Sequence, residues 1–270
     1  MENNCSILIL SCDKNKELLK VFFETFDFYW KDCAYEIFIS MEKCNNIDVT
    51  RKVHILNYDK SKYWSARIID ALENIDTENV LILLDDFIIE DTVKDAEIAS
   101  LNSILTNDKR IANILMSEIG EKNIPTEMIL SKYVQREKYG RYKTALQCGL
   151  WKRKVLKGLL KYTENAWEFE IFSNLRAFSL NMKFYALNNE SQKPIPYNDG
   201  FFIVQGKINS VEKKRLEYKL GKQIVLSGYK ETGENLVRDD ISLGARILRR
   251  LKIVICYIYY KFLASEISKY

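Results

Sequence analysis

The sequence predicts an α/β fold in which a mostly parallel central sheet is flanked by helices. The aliphatic run at residues 80–84 is unbroken, which is typical of a strand buried on both faces of a parallel sheet. Strand-like and amphipathic helical segments alternate over about the first 115 residues, as in a chain of strand-helix-strand units. Hydrophobic residues make up 47% and charged residues 29% of the chain, which are ordinary globular values.

The elements follow one another in a simple order. Strands are predicted at residues 5–11, 35–40, 52–57 and 79–84, within RIANILMS (110–117) and within KFYALNN (183–189). Helices are predicted at residues 14–30 and 63–74, from Asp91 or Thr92 to about Thr106, from about Lys152, and at residues 164–180. Residues 121–141 are polar and irregular, which predicts a loop over the sheet edge.

The composition changes near the C-terminus. Residues 241–270 carry six basic residues against one acidic residue, whereas the whole chain has a formal net charge of only +4. Their apolar and aromatic neighbours predict a basic amphipathic helix suited to an anionic membrane interface, and an ordinary helix docked on the core or in a dimer is the alternative. We therefore expect a catalytic domain at residues 1–240, with a nucleotide-binding half (1–115) and an acceptor half (116–240), followed by this helical tail.

The adjacent carboxylates Asp85 and Asp86 end the aliphatic strand at residues 79–84. Carboxylates are rarely buried, but they fit a strand whose C-terminal end opens onto a ligand crevice. Two such groups supply the hard oxygen ligands that a divalent cation prefers. The alternative is that one of them caps the helix predicted to begin near Thr92.

Several classes of chemistry are excluded by composition. The single histidine, His54, lies in a strand-like run, which argues against a Ser-His-Asp triad and against multi-histidine metal sites. Neither GxGxxG nor GxxxxGK[ST] occurs, so a nucleotide diphosphate would need a metal to neutralise its charge. The six cysteines form no CxxC pair, and no leader or spanning segment is evident, which together favour reduced thiols in a cytoplasmic protein.

A second acidic segment is Trp167-Glu168-Phe169-Glu170. An indole beside a carboxylate can form a sugar platform with a general base, because desolvation raises the pKa of the carboxylate toward the working pH. The alternative is a solvated helix face with the aromatic rings in the core. Asp13, which follows the first strand, either receives a base or ribose by hydrogen bonding or caps the next helix.

Several strings, taken in order, resemble bacterial GT-A-type glycosyltransferases of surface polysaccharide synthesis. These strings are SCDKN, WKDCAYEIFIS, WSARIIDAL, VLILLDDFII, LQCGLWKRKVL, ENAWEFE and VQGKI, and they span roughly residues 6–210. The resemblance implies a nucleotide-binding fold with a DxD-like motif, in which Asp13 contacts the nucleotide and Asp85 and Asp86 bind Mn²⁺ or Mg²⁺ and the diphosphate. It places Glu170 as the general base and Lys207 at a phosphate. The motif departs from DxD, since Phe87 stands in the third position.

These observations predict an inverting glycosyltransferase that uses a sugar nucleotide, such as a UDP-sugar. Arg67 joins Lys207 as a candidate phosphate partner, Glu168 is the second candidate base, and Trp151 and Trp167 are the candidate acceptor platform. The expected acceptor is a lipid-linked saccharide at the inner membrane face. No nucleic-acid partner is expected, and the sequence is compatible with a homodimer. A nucleotidyl- or phosphotransferase and a non-catalytic carbohydrate-binding or assembly protein are the alternatives.

Overall fold

The structure is a computed structural model of the chain. It describes residues 4–43, 47–59, 62–118, 127–138, 140, 142–188, 191–198, 202–204, 206–232, 254 and 258. The strands are β1 (Cys5–Leu10), β2 (Glu36–Met41), β3 (His54–Asn57), β4 (Asn79–Leu84), β5 (Ile111–Glu118), β6 (Met128–Ile129), β7 (Tyr133–Gln135), β8 (Gly149–Lys152), β9 (Lys183–Leu187), β10 (Ile203–Val204), β11 (Lys207–Asn209) and β12 (Glu231–Thr232). The helices are α1 (Lys16–Tyr29), α2 (Trp64–Glu73), α3 (Asp95–Asn107), α4 (Arg153–Leu159), α5 (Ala166–Arg176) and α6 (Ser210–Leu220).

The described residues contain one nine-stranded sheet, in the order β3-β2-β1-β4-β8-β5-β9-β7-β6. Only β8 and β7 run against the other strands, so the sheet is mostly parallel, as predicted. β1 is buried along its whole length and pairs in parallel with both β2 and β4, which explains its unbroken apolar sequence. The C-terminal ends of β1, β2 and β4 therefore lie side by side at one edge of the sheet.

Helices cover both faces of the sheet, which confirms the predicted layering. On one face, the apolar sides of α1 and α3 form a core with the strands, and three phenylalanines of α1 pack against one another at centroid distances of 5.3–5.9 Å. On the other face, α2, α4 and α5 contribute to a second cluster of buried side chains. Both layers bury the apolar stripes that the periodicity of the sequence predicts.

The antiparallel strand β8 lies between β4 and β5, an insertion that the sequence does not predict. Gly149 pairs with Ile82 of β4 and with Leu115 of β5. A Cβ atom at position 149 would lie 2.8 Å from Leu115 Cδ2 and 3.1 Å from the carbonyl oxygen of Ile114. Only glycine therefore fits between these two strands.

Replacing Gly149 with alanine is expected to lower the free energy of unfolding by about 1–3 kcal/mol, because the added methyl group forces neighbouring backbone to move. Urea unfolding measures this change. Gly158→Ala is the matched control, since no atom lies within 4 Å of a Cβ at that helical position. The control should be unchanged or stabilised by up to about 1 kcal/mol, because alanine is the better helix former. Equal stability of the two variants would contradict the close packing at Gly149.

Two other sequence predictions need correction, and two elements were not predicted. Helix α3 begins at Asp95 rather than at Asp91 or Thr92. The segment predicted as a loop at residues 121–141 contains the short strands β6 and β7 within its described part. The sequence analysis did not foresee α6 or the small three-stranded sheet β10-β11-β12. His54 is a packed residue, as expected, with its ring stacked on Phe38 at 4.8 Å.

The basic helix predicted at residues 241–270 lies outside the described residues, except for Val254 and Ile258. Both of these residues are helical and exposed. Within the part of the chain that the structure describes, no helix has the length and apolar character needed to cross a bilayer. Four cysteines in the described ranges, Cys5, Cys12, Cys33 and Cys148, are free thiols.

Candidate active site

Asp85 is held at the C-terminal edge of the sheet by two hydrogen bonds. Its Oδ2 atom accepts from Ser11 Oγ at 2.5 Å and from Asn15 Nδ2 at 2.8 Å. Only 6% of the residue is exposed, and this burial raises the pKa of Asp85 to about 6 although both hydrogen bonds act to lower it. Residues that follow β1 thus fix a carboxylate that follows β4, because the two strands are direct neighbours.

Asp86 lies beside it with one oxygen left unsatisfied. Its Oδ1 atom is buried and has no hydrogen-bond partner among the described residues. Burial and the adjacent charge of Asp85 raise the pKa of Asp86 to about 7. The amide of Asn198, oriented to satisfy both neighbours, donates to the backbone oxygen of Asp86 at 3.1 Å and accepts from the Phe202 amide at 3.3 Å. A buried oxygen without a hydrogen-bond partner calls for an explanation, and an ordered water or a bound ion is among the usual ones.

Neither carboxylate serves as the helix cap that was the alternative interpretation. The residue that precedes α3 is Lys94, and no side chain there accepts a capping hydrogen bond. The residues after the strand, Phe87 to Ile89, are buried instead, and the ring of Phe87 stacks on Tyr197 at 4.3 Å. The residues before and after the two acidic residues are therefore buried, and this packing holds the pair at the sheet edge. Helix capping does not account for their position.

Asp85 and Asp86 can supply carboxylate ligands to a divalent cation whose remaining ligands come from other groups. Within the described ranges, no group of three or more histidine, cysteine, aspartate or glutamate residues could hold a metal ion by itself. Mg²⁺ is commonly bound by only one or two carboxylates together with waters and substrate phosphates. The unpartnered Asp86 oxygen beside the Asp85 carboxylate matches that mode, in which a phosphate-bearing substrate supplies the remaining ligands.

Asp13 lies in a network that links the ends of β1 and β2. Its Oδ2 accepts from the Lys43 amide at 3.0 Å and its Oδ1 from the Glu42 amide at 3.1 Å, while its own amide donates to Glu42 Oε2 at 2.6 Å. Glu42 Oε1 in turn accepts from Arg67 Nη1 at 2.5 Å, and the Nε atom of Arg67 is buried without a partner in the described chain. The sequence candidates Asp13 and Arg67 are thus brought together through Glu42.

Glu42, Ser11 and Asn15 were not predicted from the sequence. Glu42 directly follows β2, just as Asp13 and Asp85 follow β1 and β4. Polar residues that follow parallel strands lie at the same edge of the sheet. Glu42 could therefore have been predicted as a site residue from its position directly after a strand. Ser11 and Asn15 flank Asp13 on the same turn, but their contact with Asp85 depends on which strands are neighbours.

Glu170 also lies at this edge. Its Oε1 accepts from the Leu146 amide at 3.1 Å, and burial raises the pKa of this carboxyl. Leu146 precedes β8, whose residue Gly149 pairs with Ile82 of β4. Because β8 runs antiparallel to β4, the residues just before Gly149 lie beside the C-terminal end of β4, where Asp85 begins. Glu170 thus contacts the segment that enters the sheet next to β4.

Glu168 belongs to the cap of α5. Its Oε2 accepts from the Asn165 amide at 3.2 Å, while Asn165 Oδ1 accepts from the Glu168 amide at 3.0 Å. This reciprocal pair is a capping box, which satisfies two backbone groups at the start of the helix. Glu168 was predicted only as a second candidate base, although the spacing Asn165-x-x-Glu168 is typical of this cap. The structure therefore accounts for Glu168 as a capping residue and leaves Glu170 as the better candidate base.

The two tryptophans have opposite environments. Trp151 is fully buried, with 0% exposure, and its ring packs edge to face against Phe184 at 6.5 Å. The prediction that Trp151 forms an acceptor platform is wrong, because a core residue offers no ring face to a sugar. Trp167, in the first turn of α5, is 72% exposed and keeps a ring available to solvent.

Lys207 begins β11 of the small sheet, and its side chain is exposed. It follows Gly206, which has a φ of +73°. A Cβ at Gly206 would lie 4.0 Å from Lys14 Nζ, so this turn approaches the residues that follow β1. The structure thus brings the small sheet close to the acid-pair edge, and it adds Lys14 as a basic group that the sequence analysis did not single out.

No protein-family model and no curated protein matches this chain. Among solved structures, residues 1–349 of S. aureus TarS are 12% identical, with 70% of this chain and 59% of that chain covered and a TM-score of 0.46. A cytidylyltransferase from Leptospira borgpetersenii is 12% identical over 81% of this chain and 95% of its own, with a TM-score of 0.43. The chain spans little more than half the length of the TarS fragment.

A third similar structure is a mutant of Drosophila β-1,4-galactosyltransferase 7 in complex with manganese, UDP-Gal and xylobiose. It is 13% identical to this chain, with 72% of this chain and 68% of that chain covered and a TM-score of 0.37. All three TM-scores are below 0.5, so the fold assignment rests on the strand order and directions of this chain itself.

Proposed function

We propose that this chain is a metal-dependent glycosyltransferase with a sugar nucleotide, such as a UDP-sugar, as donor. The observation that carries the proposal is the buried, unpartnered oxygen of Asp86 beside Asp85 at the C-terminal edge of a parallel sheet. This edge is where open α/β sheets bind ligands. The sequence has neither of the glycine-rich phosphate-loop motifs, which supports a metal as the partner of the diphosphate.

In this proposal, Asp85 and Asp86 hold Mn²⁺ or Mg²⁺ at the diphosphate of the donor. The bound cation would neutralise the charge that develops on the leaving nucleoside diphosphate. Arg67 and Lys207 are candidate partners for the phosphate oxygens, with Arg67 already oriented by Glu42. The Asp13 network fixes the loop after β2, which in this proposal borders the pocket for the nucleoside.

Glu170 is the proposed general base. Burial raises the pKa of its carboxyl, and a carboxylate with a raised pKa is a better proton acceptor near neutral pH. It would take the proton of the acceptor hydroxyl as that oxygen bonds to the anomeric carbon and the bond from this carbon to the phosphate oxygen breaks. Direct displacement of this kind inverts the anomeric centre. The exposed ring of Trp167, three residues before Glu170, would support the acceptor sugar.

The proposed acceptor is a lipid-linked saccharide in surface polysaccharide synthesis, such as that of capsule or O-antigen. The basic, aromatic sequence of residues 241–270 is suited to anionic headgroups at the inner face of the membrane. The chain would then be a cytoplasmic enzyme with peripheral membrane contact and a hexosyl donor.

Binding of UDP in the presence of Mn²⁺ tests the proposal. We expect Asp86→Ala to weaken this binding at least about tenfold in calorimetry, equivalent to about 1.4 kcal/mol, because a carboxylate ligand is lost. Asp32→Ala is the matched control, since Asp32 is exposed just after α1, which leads away from the acid-pair edge.

A panel of sugar nucleotides then identifies the reaction. Release of UDP from a UDP-sugar on addition of a saccharide acceptor is the expected result. Release of pyrophosphate from a nucleoside triphosphate would instead indicate a nucleotidyltransferase, the alternative that also uses paired carboxylates and metal. Failure of every sugar nucleotide to bind or to raise the melting temperature in the presence of Mn²⁺ would contradict the transferase proposal.

A further inference from the structure

The segment that follows α6 contacts α1 through a hydrogen bond and an ion pair. Ser227 Oγ donates to Glu17 Oε1 at 2.7 Å, and Lys222 Nζ lies 2.6 Å from Glu24 Oε2. These contacts join residues about 200 positions apart in the chain, and they bring the loop between α6 and β12 to the residues that follow β1. Tyr229 lies in this loop.

Tyr229 is connected to the acid pair through a single side chain. Its hydroxyl donates to Asn15 Oδ1, and Asn15 Nδ2 donates to Asp85 Oδ2 at 2.8 Å. Lys14 Nζ lies 5.4 Å from the centroid of the Tyr229 ring and covers one of its faces. The phenol, the amide and the carboxylate thus form a continuous hydrogen-bonded chain from the loop after α6 to the end of β4.

The direction of each bond in this chain is fixed by chemistry. If the Asn15 amide were turned over, its oxygen would face the oxygen of Asp85, and two acceptors would repel each other. Burial and the nearby carboxylates raise the pKa of Tyr229, so its hydroxyl stays protonated and donates. The Asp85 carboxylate thus sets the amide orientation, and the Tyr229 hydroxyl holds the Asn15 oxygen while the Asn15 nitrogen donates to Asp85.

This chain restricts how Asp85 can turn. Oδ2 accepts from both Ser11 and Asn15, which approach from the turn after β1. Because Oδ2 accepts both of these hydrogen bonds, Oδ1 takes part in neither of them. Groups that orient a ligating carboxylate by hydrogen bonding commonly change metal affinity when they are removed.

We infer that Tyr229 is a positioning residue, which acts through Asn15 to hold the Asp85 carboxylate in the orientation that accepts a divalent cation. This inference rests on the proposed function, because it assigns Asp85 to a metal-binding pair. It gives the loop after α6 a role at the site, although that loop contributes no metal ligand of its own.

The test measures the affinity of the full chain for Mn²⁺, from the electron paramagnetic resonance signal of the free ion, well below the melting temperature. Tyr229→Phe keeps the ring and removes only the hydroxyl, and we expect it to weaken Mn²⁺ binding roughly tenfold. Asn15→Ala should weaken binding by at least as much. The double variant should bind no more weakly than Asn15→Ala alone, because the hydroxyl acts only through the amide. Tyr218→Phe is the control, since Tyr218 is 92% exposed on α6.

Each result separates this inference from the proposed function. Unchanged Mn²⁺ affinity in Tyr229→Phe, with a wild-type protein that binds Mn²⁺, overturns the role of Tyr229 and leaves the metal site standing. A lower melting temperature without a change in affinity would mean that the hydroxyl serves stability alone, and it also overturns the inference. Additive effects in the double variant would show that Tyr229 does not act through Asn15. A wild-type protein that binds Mn²⁺ neither alone nor together with UDP overturns the proposed metal site, and this inference with it.

Discussion

Replacing Asp86 with asparagine is expected to make the metal-free protein more stable at pH 8, by on the order of 2–4 kcal/mol. Burial and the charge of Asp85 raise the pKa of Asp86 to about 7 in the folded chain, against an ordinary value of 3.8. At pH 8 the folded protein therefore holds a desolvated negative charge that the unfolded chain exposes to water. Asparagine removes this charge and keeps nearly the same shape.

The pH dependence of this gain follows from the direction of the pKa shift. A carboxyl whose pKa is raised on folding favours the folded state while it is protonated. That contribution is fully present below about pH 4 and is lost as the pH rises through about 7. The advantage of Asp86→Asn should therefore be small at pH 4 and largest at pH 8.

Urea unfolding at pH 4, 6 and 8 in the presence of a chelator measures this effect. Asp32→Asn is the control, because it removes an exposed carboxylate and should change stability by less than about 0.5 kcal/mol at any pH. If Asp86→Asn were no more stable than wild type at pH 8, the carboxylate would not be held in the desolvated environment that the site requires.

Adding Mn²⁺ should reverse the order of stability. A cation that binds only the folded protein stabilises it by about 4.1 kcal/mol when present at 1,000 times its dissociation constant, which exceeds the expected advantage of the variant. The wild-type protein should gain this stabilisation, whereas Asp86→Asn, which lacks a charged ligand, should gain little. The same residue would then lower the stability of the free protein and raise that of the metal-bound protein, which is the behaviour of a binding site rather than of a structural residue.

The sheet and the acid pair could be predicted from the sequence because both depend on local pattern. An aliphatic run such as β4 is recognisable by itself, and the C-terminal ends of parallel strands meet at one edge whatever their order. The strand order could not be predicted in the same way. β8 has only four residues, and its insertion between β4 and β5 is set by partners far away in the chain. For this reason Trp151 was assigned to a surface although it lies in the core.

The polar partners of the acid pair could not be predicted from the sequence either, because they too depend on contacts between distant parts of the chain. Ser11 and Asp85 are 74 positions apart, and Tyr229 and Asn15 are 214 positions apart. Their contacts follow from strand order and from the docking of the loop after α6, which no local pattern encodes. Glu168 is the opposite case, because its capping role is readable from a spacing of three residues. Local signals therefore identified the candidate ligands, while tertiary packing determined what orients them.

Replacing Glu164 with alanine is expected to lower the free energy of unfolding by about 3–5 kcal/mol. Glu164 forms a bidentate ion pair with Arg176, with Nη1–Oε1 at 2.6 Å and Nη2–Oε2 at 2.7 Å. Both side chains are only 9% exposed. Alanine would leave the Arg176 guanidinium buried without a carboxylate, and its remaining hydrogen bond, to the Leu159 carbonyl, cannot neutralise the charge.

The position of this ion pair connects it to the site. Ser65, in the first turn of α2, donates from its amide to the Glu164 carbonyl at 3.1 Å and accepts from the Glu164 amide at 3.0 Å. Arg176 ends α5, so the pair fixes the start of α2 against α5. Arg67 lies on α2 and Glu170 on α5, so the two helices that this junction joins also carry two of the candidate site residues.

Two further variants decide whether the loss comes from the buried charge. Glu73→Ala breaks the exposed pair between Lys157 and Glu73, whose side chains are more than 40% exposed, and should cost less than about 1 kcal/mol. Replacing both Glu164 and Arg176 with methionine should restore most of the stability, because apolar side chains of similar volume need no charge partner. A double variant as unstable as Glu164→Ala would contradict the assignment of the loss to the unpaired charge of Arg176. Recovery of stability would show that a well-packed apolar pair can replace the ion pair at the junction between α2 and α5. The attraction between the two charges would then only offset the free-energy cost of burying them.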